Sequence, residues 1–572
     1  MKIFLLPSLF ISFLLGISAF YFNTKNTVAP AKTVRDIAVC GPFYDAEIRP
    51  AADGKFVVAL PGWGRYSYPV STKEDSSQFY FDQGLNMYYS YHFKEAVASF
   101  KESARIDPKN AMAYWGQALA MGPYYNAAHS YKKPEELAGV LTSMNALATS
   151  ASPKEKALID AMNSRYSDDA SDAQRAALNQ AYAQKLRSLI DTYPDDADMK
   201  VLYIDANMLM HAWDFWNKDG SEKAWTPELV TICQQVLKTN PKHPAALHYY
   251  IHLTEASLHP EVALGSAETL RDLLPGVAHM VHMSSHEYER NGLYVKGVEV
   301  NNLADDNLKY YDLLAKNLAL SKQSPHYFAV QTYCALSAGM YKDAVKYALR
   351  CRKSVSPTAE STYDQYLYML PEMAMVRHGK WQEILADTAM PDGKWSYANV
   401  LSDFAKGLAF VNTDQLDSAA ARLRSLNISM KDPALTKRRI PFNSPIQIAN
   451  IAQKILKGAI FYAQKLPGKA IANFQEAAAL EDKLIYTEPK DWPIPSRQFL
   501  GAYLLKDGKS ALAEAIYRKD LTYNPGNGWS LVGLYKSLAA QKKTKELARY
   551  KTKYQQSFAK ADELPTASVQ IR

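Results

Sequence analysis

The chain has 572 residues, of which 48% are hydrophobic and 22% are charged, with 66 Lys and Arg against 58 Asp and Glu. These proportions are typical of folded globular proteins and exclude a wholly disordered chain. The net charge of +8 is small for this length and comes with no dense basic cluster, so nucleic-acid binding is not indicated. The four cysteines show no CxxC spacing and are too few for a disulfide scaffold.

An apolar segment lies at the N-terminus, where Lys2 precedes twenty uncharged residues, 3–22. A positive charge followed by an apolar run and then polar residues predicts an export signal. Ala19 offers a small residue for signal-peptide cleavage, whereas twenty apolar residues in a helix reach about 30 Å, enough for a membrane anchor. Both alternatives predict export to the periplasm or cell envelope, with membrane contact only through this segment if it is retained.

Two short regions flank the predicted helical body. Residues 23–75 are polar at first and then rich in turns, which predicts a linker and a short extended N-terminal arm or cap. Within this arm, residues 55–60 (KFVVAL) predict a strand and residues 61–64 a turn. Residues 561–572 are predicted to form a C-terminal tail.

Internal repeats dominate the region 76–560. Two sets of four residues share the intervals 12, 4 and 8, namely Gly84, Ala96, Phe100 and Pro108, and then Gly501, Ala513, Tyr517 and Pro525. This is the tetratricopeptide pattern of about 34 residues, in which small residues let two antiparallel helices approach and proline ends the second. The sequence therefore predicts an all-α, right-handed α-solenoid of about a dozen helical hairpins. An irregular helical bundle is the alternative.

The 38 tyrosines and a few other residues raise the question of a binding groove. Tyrosine can line a wet concave surface that holds a peptide, or it can pack between helices. The same two alternatives, groove lining or contact between repeats, apply to a second group of residues, namely Trp213, Asp214, Arg497, Asn527 and Trp529.

Three stretches of the chain, 66–126, 213–306 and 488–534, carry more specific motifs. The central stretch contains HPAALHYYIHLTEASLHPEVAL and PGVAHMVHMSSHEYERNGLYVKGVEVNNLADD, and the third begins EPKDWPIPSRQFLGAYLL. Together they resemble a family of bacterial tetratricopeptide-repeat proteins of unassigned function with a histidine-rich central repeat. The chain departs from that family at Phe93, where a histidine is often found beside His92, and at Pro493, where a further aromatic residue is often found.

Seven of the twelve histidines fall between positions 243 and 286, and their spacing is helical. His282 follows His248 by 34 residues and His286 follows His252 by 34 residues, so equivalent faces of adjacent repeats carry them. Imidazoles with one carboxylate suit Zn, Fe, Cu or Ni. The predicted metal ligands are His248, His252, Glu255, His279, His282, His286 and His326. The alternative is that these histidines line or pack the groove without metal.

Two residues on the helix after the second histidine set, Asn301 and Asp305, are predicted to accept hydrogen bonds from the imidazole N–H groups. The alternative is that they lie on a solvated helix face. Cys334 and Cys351 are spaced to meet across one hairpin, as a disulfide or as two buried free thiols.

The chain has no P-loop, GxGxxG, GxSxG or HExxH motif, so the histidines carry the functional hypothesis. The sequence predicts an exported binding or scaffold protein whose concave groove holds a transition-metal site and a protein or peptide ligand. One alternative is a metal-dependent enzyme, oxidative or hydrolytic, and another is an interaction scaffold without metal.

Overall fold

The computed structural model describes residues 47–127, 131–314, 325–437 and 443–571. All of them belong to one compact unit, Ala38–Arg572. The apolar segment 3–22, on which the prediction of export depends, lies outside the described residues. Among the described helices, none combines the length and the apolar character needed to cross a membrane.

Twenty-four α-helices account for most of the described residues, joined by short turns and a few single turns of 3-10 helix. In chain order they are α1 Asp75–Tyr89, α2 Phe93–Ile106, α3 Ala111–Ala120, α4 Leu137–Leu147, α5 Pro153–Ser164, α6 Arg175–Thr192, α7 Ala197–Met210, α8 Thr226–Thr239, α9 Pro244–Thr254, α10 Leu264–Leu273, α11 Ala278–Arg290, α12 Tyr294–Leu314, α13 Pro325–Ser337, α14 Tyr341–Ser354, α15 Thr362–Arg377, α16 Trp381–Ala386, α17 Ser396–Asn412, α18 Leu416–Ser429, α19 Pro445–Ala463, α20 Pro467–Glu481, α21 Ser496–Lys506, α22 Ser510–Tyr523, α23 Gly528–Ala540 and α24 Thr544–Ser557.

The residue intervals in the sequence reflect how the helices pack. Phe100 on α2 fits against Gly84 on α1 and Gly116 on α3, where an added Cβ would lie 2.8 and 2.4 Å from its ring. Tyr517 fills the equivalent place beside Gly501 near the C-terminus, where an added Cβ would lie 2.4 Å from the ring. Only glycine permits this approach between helices. The predicted all-α solenoid of tetratricopeptide-like hairpins is confirmed.

The strand predicted over residues 55–60 is wrong, because this arm is extended but has no neighbouring strand among the described residues. Side chains of the first hairpin bind its backbone instead. The backbone N–H of Phe56 donates to Glu102 (3.0 Å), and that of Leu60 donates to Gln83 (2.9 Å). Further along, the backbone N–H of Gly276 donates to the carbonyl of Gly62 (3.0 Å), which ties the arm to the turn before α11.

The C-terminal repeats pack against the central repeats. The turn at Gly292 touches the turn before α23, where an added Cβ at Gly292 would lie 2.3 Å from the carbonyl oxygen of Pro525. The indole N–H of Trp529 donates to the carbonyl of Leu336 at 3.0 Å. These contacts join repeats that are far apart in sequence and bring the loop before α21 close to the histidine-bearing helices.

Candidate metal centre

Three helices, α9, α11 and α13, carry the predicted ligands on faces that converge in the interior. His243 caps the N-terminus of α9, and its ring accepts a hydrogen bond from the N–H of Ala246. The histidine side chains on these faces are at most 1% exposed, as is that of Glu255. The convergence follows from the 34-residue offset, because each repeat places its equivalent helix beside the last.

The six histidines form two triads, and in each triad the potential ligand atoms all lie within 4.8 Å of one another. The first triad consists of His248, His252 and His279, and the second consists of His282, His286 and His326. Within the first triad the Nε2 atoms of His248 and His279 are 3.1 Å apart. Within the second, the Nε2 atoms of His282 and His286 are 3.0 Å apart.

Hydrogen bonds fix the tautomers of two rings in the first triad. Nδ1 of His248 lies 2.7 Å from the carbonyl oxygen of Tyr89, which can only accept, so Nδ1 carries the proton and Nε2 presents a lone pair. Nδ1 of His252 lies 2.9 Å from Glu255, and its Nε2 is buried with no hydrogen-bond partner among the described residues. Metal-bound histidines have this arrangement, in which the second ring nitrogen donates to a carbonyl or carboxylate.

In the second triad too, Nδ1 of each of two rings lies against an oxygen atom. Nδ1 of His282 lies 2.6 Å from Oδ1 of Asn301, whose amide NH₂ group donates to the carbonyl of Gly297. Oδ1 of Asn301 is therefore the acceptor, and Nε2 of His282 presents a lone pair towards His286. Nδ1 of His286 faces the carboxylates of Glu255 at 3.1 Å and Glu488 at 2.5 Å.

Burial favours the neutral form of four of these rings. Desolvation lowers the pKa of His248, His279 and His282 well below the usual value, and neighbouring histidines lower it further. Desolvation lowers the pKa of His252 to about 3. A metal ion between Nε2 atoms this close would accept a lone pair from each ring, in place of the single N–H that the two nitrogens can otherwise share.

The spacing of the Nε2 atoms suits a shared metal ion. Two nitrogens bound to one first-row ion at about 2.0–2.1 Å, with a coordination angle of about 90–110°, lie about 2.9–3.4 Å apart. The pairs His248–His279 and His282–His286, at 3.1 and 3.0 Å, fall in this range. Three protein ligands in each triad would leave a coordination position open, as in catalytic zinc sites.

Two carboxylates lie between the triads. Glu255, predicted as a ligand, accepts from Nδ1 of His252 and Nδ1 of His286, so it joins one ring of each triad. Glu488 completes a third cluster with His252 and Glu255. Burial, and then the charge of Glu255, raise the pKa of Glu488 to about 7, because two carboxylates share one dry site.

Sequence reasoning missed Glu488 as a site residue, although it opens the third stretch that resembles the histidine-rich family. Its loop lies far from α9 and α11 in sequence, and no helical spacing connects them.

Sequence reasoning also gave His92 no role in the site. Its Nε2 accepts a hydrogen bond from the backbone N–H of His279 at 3.3 Å, and its Nδ1 lies 2.6 Å from Glu95.

Aromatic rings cover the triads. Tyr91 lies against His248 with ring centroids 4.6 Å apart, Tyr125 against His252 at 5.0 Å, and Tyr327 is stacked on His282 at 4.0 Å. The first hairpin, through Tyr91, therefore covers the face that the sequence predicts to be an open groove. Of the predicted ligands, Glu255 lies between the triads and His326 belongs to the second.

The other predicted site residues lie in three places, namely between α12 and α14, around a cavity, and at contacts between repeats. Asp305 forms ion pairs with Lys309 and Arg350, both at 2.9 Å, so its carboxylate joins α12 to α14. Three of the possible groove residues line a cavity of about 530 Å³, namely Trp213, Asp214 and Arg497.

The remaining two groove candidates pack between repeats. The side chain of Asn527 caps α23 by accepting from the backbone N–H groups of Trp529 and Ser530, and Trp529 bonds to the carbonyl of Leu336. The two cysteines for which a disulfide was an alternative, Cys334 and Cys351, are buried free thiols.

Comparison with known proteins gives likenesses to solved structures of helical proteins. No protein-family model matches the chain, and no curated protein matches it. Human IFIT1, solved as a dimer with m7Gppp-AAAA, is 11% identical over 86% of this chain and 92% of its own, with a TM-score of 0.29. Yeast Tom70 is 10% identical over 84% of this chain and 93% of its own, with a TM-score of 0.28. The TPR domain of P58(IPK) is 11% identical over 60% of this chain and 94% of its own, with a TM-score of 0.18.

Proposed function

We propose that this chain is a transition-metal-binding solenoid protein in which each histidine triad holds one ion. The observation that carries the proposal is the pair of close Nε2–Nε2 contacts, 3.1 Å in the first triad and 3.0 Å in the second, between fully buried rings. Imidazole nitrogens in this number suit Zn, Fe, Cu or Ni.

The two triads are adjacent, which supports a paired centre. The ring centroids of His279 and His282 are 6.2 Å apart, and those of His252 and His286 are also 6.2 Å apart. Glu255 connects the second of these pairs through the Nδ1 nitrogens. Its negative charge, with that of Glu488, would offset part of the charge of two bound cations in a dry interior.

Metal analysis of the protein purified without a histidine tag tests this proposal. Two ions of one element per chain after exhaustive dialysis at neutral pH is the expected result. Less than stoichiometric metal, both as purified and after incubation with Zn²⁺, Fe²⁺, Cu²⁺ and Ni²⁺ in turn, would contradict it. The plain interaction scaffold would then be the better account.

A metal-dependent enzyme is the second candidate, favoured by one specific observation. The cavity of about 530 Å³ is lined by Thr487, and the next residue, Glu488, belongs to the carboxylate cluster beside the triads. A cavity beside ions with an open coordination position is the usual arrangement for metal-assisted oxidation or hydrolysis. Turnover of an oxidisable or hydrolysable substrate that disappears with the metal in a His286→Ala variant would support this candidate, and turnover that persists there would contradict it.

Export and partner binding complete the proposal. We infer export to the periplasm or cell envelope from Lys2 and the uncharged run 3–22. A reporter enzyme that works only outside the cytoplasm, fused after Thr72, should be active, and an inactive but intact fusion would contradict export. Because Tyr91 covers the triads, a protein or peptide partner would contact other faces of the solenoid than the one that carries the histidines.

A further inference from the structure

A cavity of about 530 Å³ lies between the segment after α7, the end of α11, the loop before α21 and the end of α22. Its volume is within the range of small-molecule sites, about 300–1,000 Å³. Its lining includes three cations and three aromatic side chains that could contact a ligand together, namely Lys218, Arg290, Lys490, Tyr486, Trp492 and Tyr523.

Arg290 is the innermost cation, 7% exposed, and three backbone carbonyls hold its guanidinium. It donates to the carbonyl oxygens of Glu255 (2.7 Å), Ser257 (2.9 Å) and Tyr523 (3.2 Å). These bonds occupy three of its five N–H groups, and none of the three is made to a carboxylate. No carboxylate of the described residues lies within 4.0 Å of the guanidinium.

Lys490 and Lys218 complete a row of cations from the interior to the cavity mouth. Lys490 is partly buried and donates to the carbonyl of Tyr523 (3.4 Å) and to the side chain of Asn524. Lys218 is exposed at the mouth and donates to the carbonyl of Leu484 at 3.2 Å. Neither forms an ion pair with a carboxylate of the described residues. Desolvation, and then the charge of Arg290, lower the pKa of Lys490 to about 8.

Each acidic residue of the lining has an ion-pair or hydrogen-bond partner, and Asp491 accepts from the amide NH₂ group of Asn443 at 2.9 Å. Asp482 pairs with Arg497 at 2.5 Å, and Asp214 pairs with Lys223 at 3.1 Å. Glu481 accepts a hydrogen bond from the backbone N–H of Ser496 at 2.7 Å. The cavity lining keeps an excess of positive charge, because it has five Lys and Arg residues and four carboxylates. The cations are Lys218, Arg290, Lys483, Lys490 and Arg497, and the carboxylates are Asp214, Glu481, Asp482 and Asp491.

The walls between the cations are aromatic. Tyr486 lies against the guanidinium of Arg290 at 5.5 Å, and Tyr523 lies against Lys218 at 5.7 Å. Trp492 is 1% exposed, and its indole N–H has no hydrogen-bond partner among the described residues. A buried donor without a partner costs about 1–3 kcal/mol, which a ligand acceptor would recover.

We propose that this cavity binds a small aromatic carboxylate, with the carboxylate among Lys218, Arg290 and Lys490 and the ring against Trp492 and Tyr486. The positive excess selects a negative charge, and the flat side chains select an aromatic body. The cations of the cavity are not metal ligands, so the proposal stands apart from the metal content of the triads. If the centre is catalytic, this ligand class is that of its substrate.

Three probes with one ring system and different charge test the proposal by calorimetry on the full chain as purified, namely 2-naphthoate, 2-naphthamide and 2-naphthylmethylammonium. We expect the carboxylate to bind at least about tenfold more tightly than the amide and the ammonium not to bind, because only the carboxylate complements the three cations. Absence of naphthoate binding at about 10 mM, or equal binding of the amide, would overturn the proposal.

Variants locate the binding. Lys218→Met should weaken naphthoate binding about tenfold and leave the fold intact, because Lys218 is exposed at the mouth. Lys545→Met, which removes an exposed lysine of α24, is the control and should change nothing. Unchanged binding in Lys218→Met would overturn the assignment to this cavity. Metal content is measured in the same samples, so failure of one proposal is distinguishable from failure of the other.

Discussion

His282 and His286 face each other through their Nε2 atoms, 3.0 Å apart, while the opposite nitrogen of each ring bonds to an oxygen. For His282 that oxygen is Oδ1 of Asn301, and for His286 the carboxylates of Glu255 and Glu488 take the same place. Rings held through Nδ1 in this way turn both Nε2 atoms towards one point, where a metal ion can accept a lone pair from each. The same arrangement joins His248 to His279.

Removing one triad should remove one ion. We expect His248→Ala to lose the ion of the first triad and His282→Ala to lose that of the second, so that metal falls from two ions per chain to one. Each triad supplies all three nitrogen ligands of its ion, and a single loss leaves too few. Elemental analysis after dialysis, together with circular dichroism, measures both metal and fold.

The matched control is His243→Asn, which removes a buried histidine at the start of α9, outside both triads. Asparagine is a favoured N-cap residue, so the helix keeps its cap. This variant should retain two ions. Equal metal loss in His243→Asn and His282→Ala would show that the triads are not the binding site.

Glu488→Gln tests the carboxylate that sequence reasoning missed. The substitution keeps the shape of the side chain but removes its charge, and the Nδ1 nitrogen of His286 then has a weaker acceptor. We expect metal affinity to fall about 10- to 100-fold, as it does when a residue that orients a metal-bound histidine is lost. Competition with a chelator of known affinity measures the change.

Glu261→Gln is the control for this experiment, because Glu261 is an exposed carboxylate that also faces a histidine, His259, at 3.1 Å. Affinity in Glu261→Gln should equal that of the unaltered protein. If Glu488→Gln binds metal as tightly as this control, the carboxylate has no part in the centre.

Gly292→Ala should destabilise the chain by about 2–4 kcal/mol, from a left-handed backbone that alanine disfavours and from a clash with a neighbouring repeat. Gly292 has φ +73°, and its added Cβ would lie 2.3 Å from the carbonyl oxygen of Pro525. Gly508 has φ +74° with nothing within 4 Å of its added Cβ, so Gly508→Ala isolates the backbone term of about 1 kcal/mol. Denaturant unfolding measures the free energy of unfolding of both variants. An equal decrease in Gly292→Ala and Gly508→Ala would contradict the contact between the central and C-terminal repeats.

Acid should destabilise the fold partly through His378. Desolvation, and then the charges of Arg377 and Lys380, lower its pKa to about 3. Between that value and the unfolded pKa of about 6.5, the unfolded chain binds the extra proton, so stability falls as the pH falls, by up to about 1.4 kcal/mol per pH unit.

The variant His378→Asn tests this contribution. Its stability should vary less with pH than that of the unaltered protein in urea unfolding between about pH 7 and pH 5. His259→Asn, which replaces an exposed histidine, should leave the pH dependence unchanged. Identical curves for His378→Asn and the unaltered protein would contradict a depressed pKa in the fold.

Helical spacing was enough to predict which histidines come together. The offset of 34 residues between His248 and His282 equals one tetratricopeptide repeat, and stacking repeats places equivalent faces side by side. Spacing within a helix also located Asn301 on the helix that packs behind the second triad. The division into two triads depends on side-chain rotamers and on partners from elsewhere in the chain, which periodicity does not encode.

The contributions of distant segments could not be predicted from the sequence. Glu488 comes from an irregular loop, and Tyr91 comes from the first hairpin, so their positions depend on how far the superhelix turns before its ends meet the central repeats. The strand predicted at residues 55–60 failed for a related reason. Its apolar alternation is satisfied by packing on the first hairpin, whose Gln83 and Glu102 bind the backbone in place of a second strand.

Anomalous X-ray diffraction at the absorption edge of the metal that copurifies with the chain tests the central claim most directly. The account predicts two anomalous peaks per chain, one within about 2.0–2.2 Å of Nε2 of His248 and His279, the other at the same distance from Nε2 of His282 and His286. Crystals of stoichiometrically loaded protein that show the metal elsewhere, with both Nε2 pairs free of it, would contradict the account.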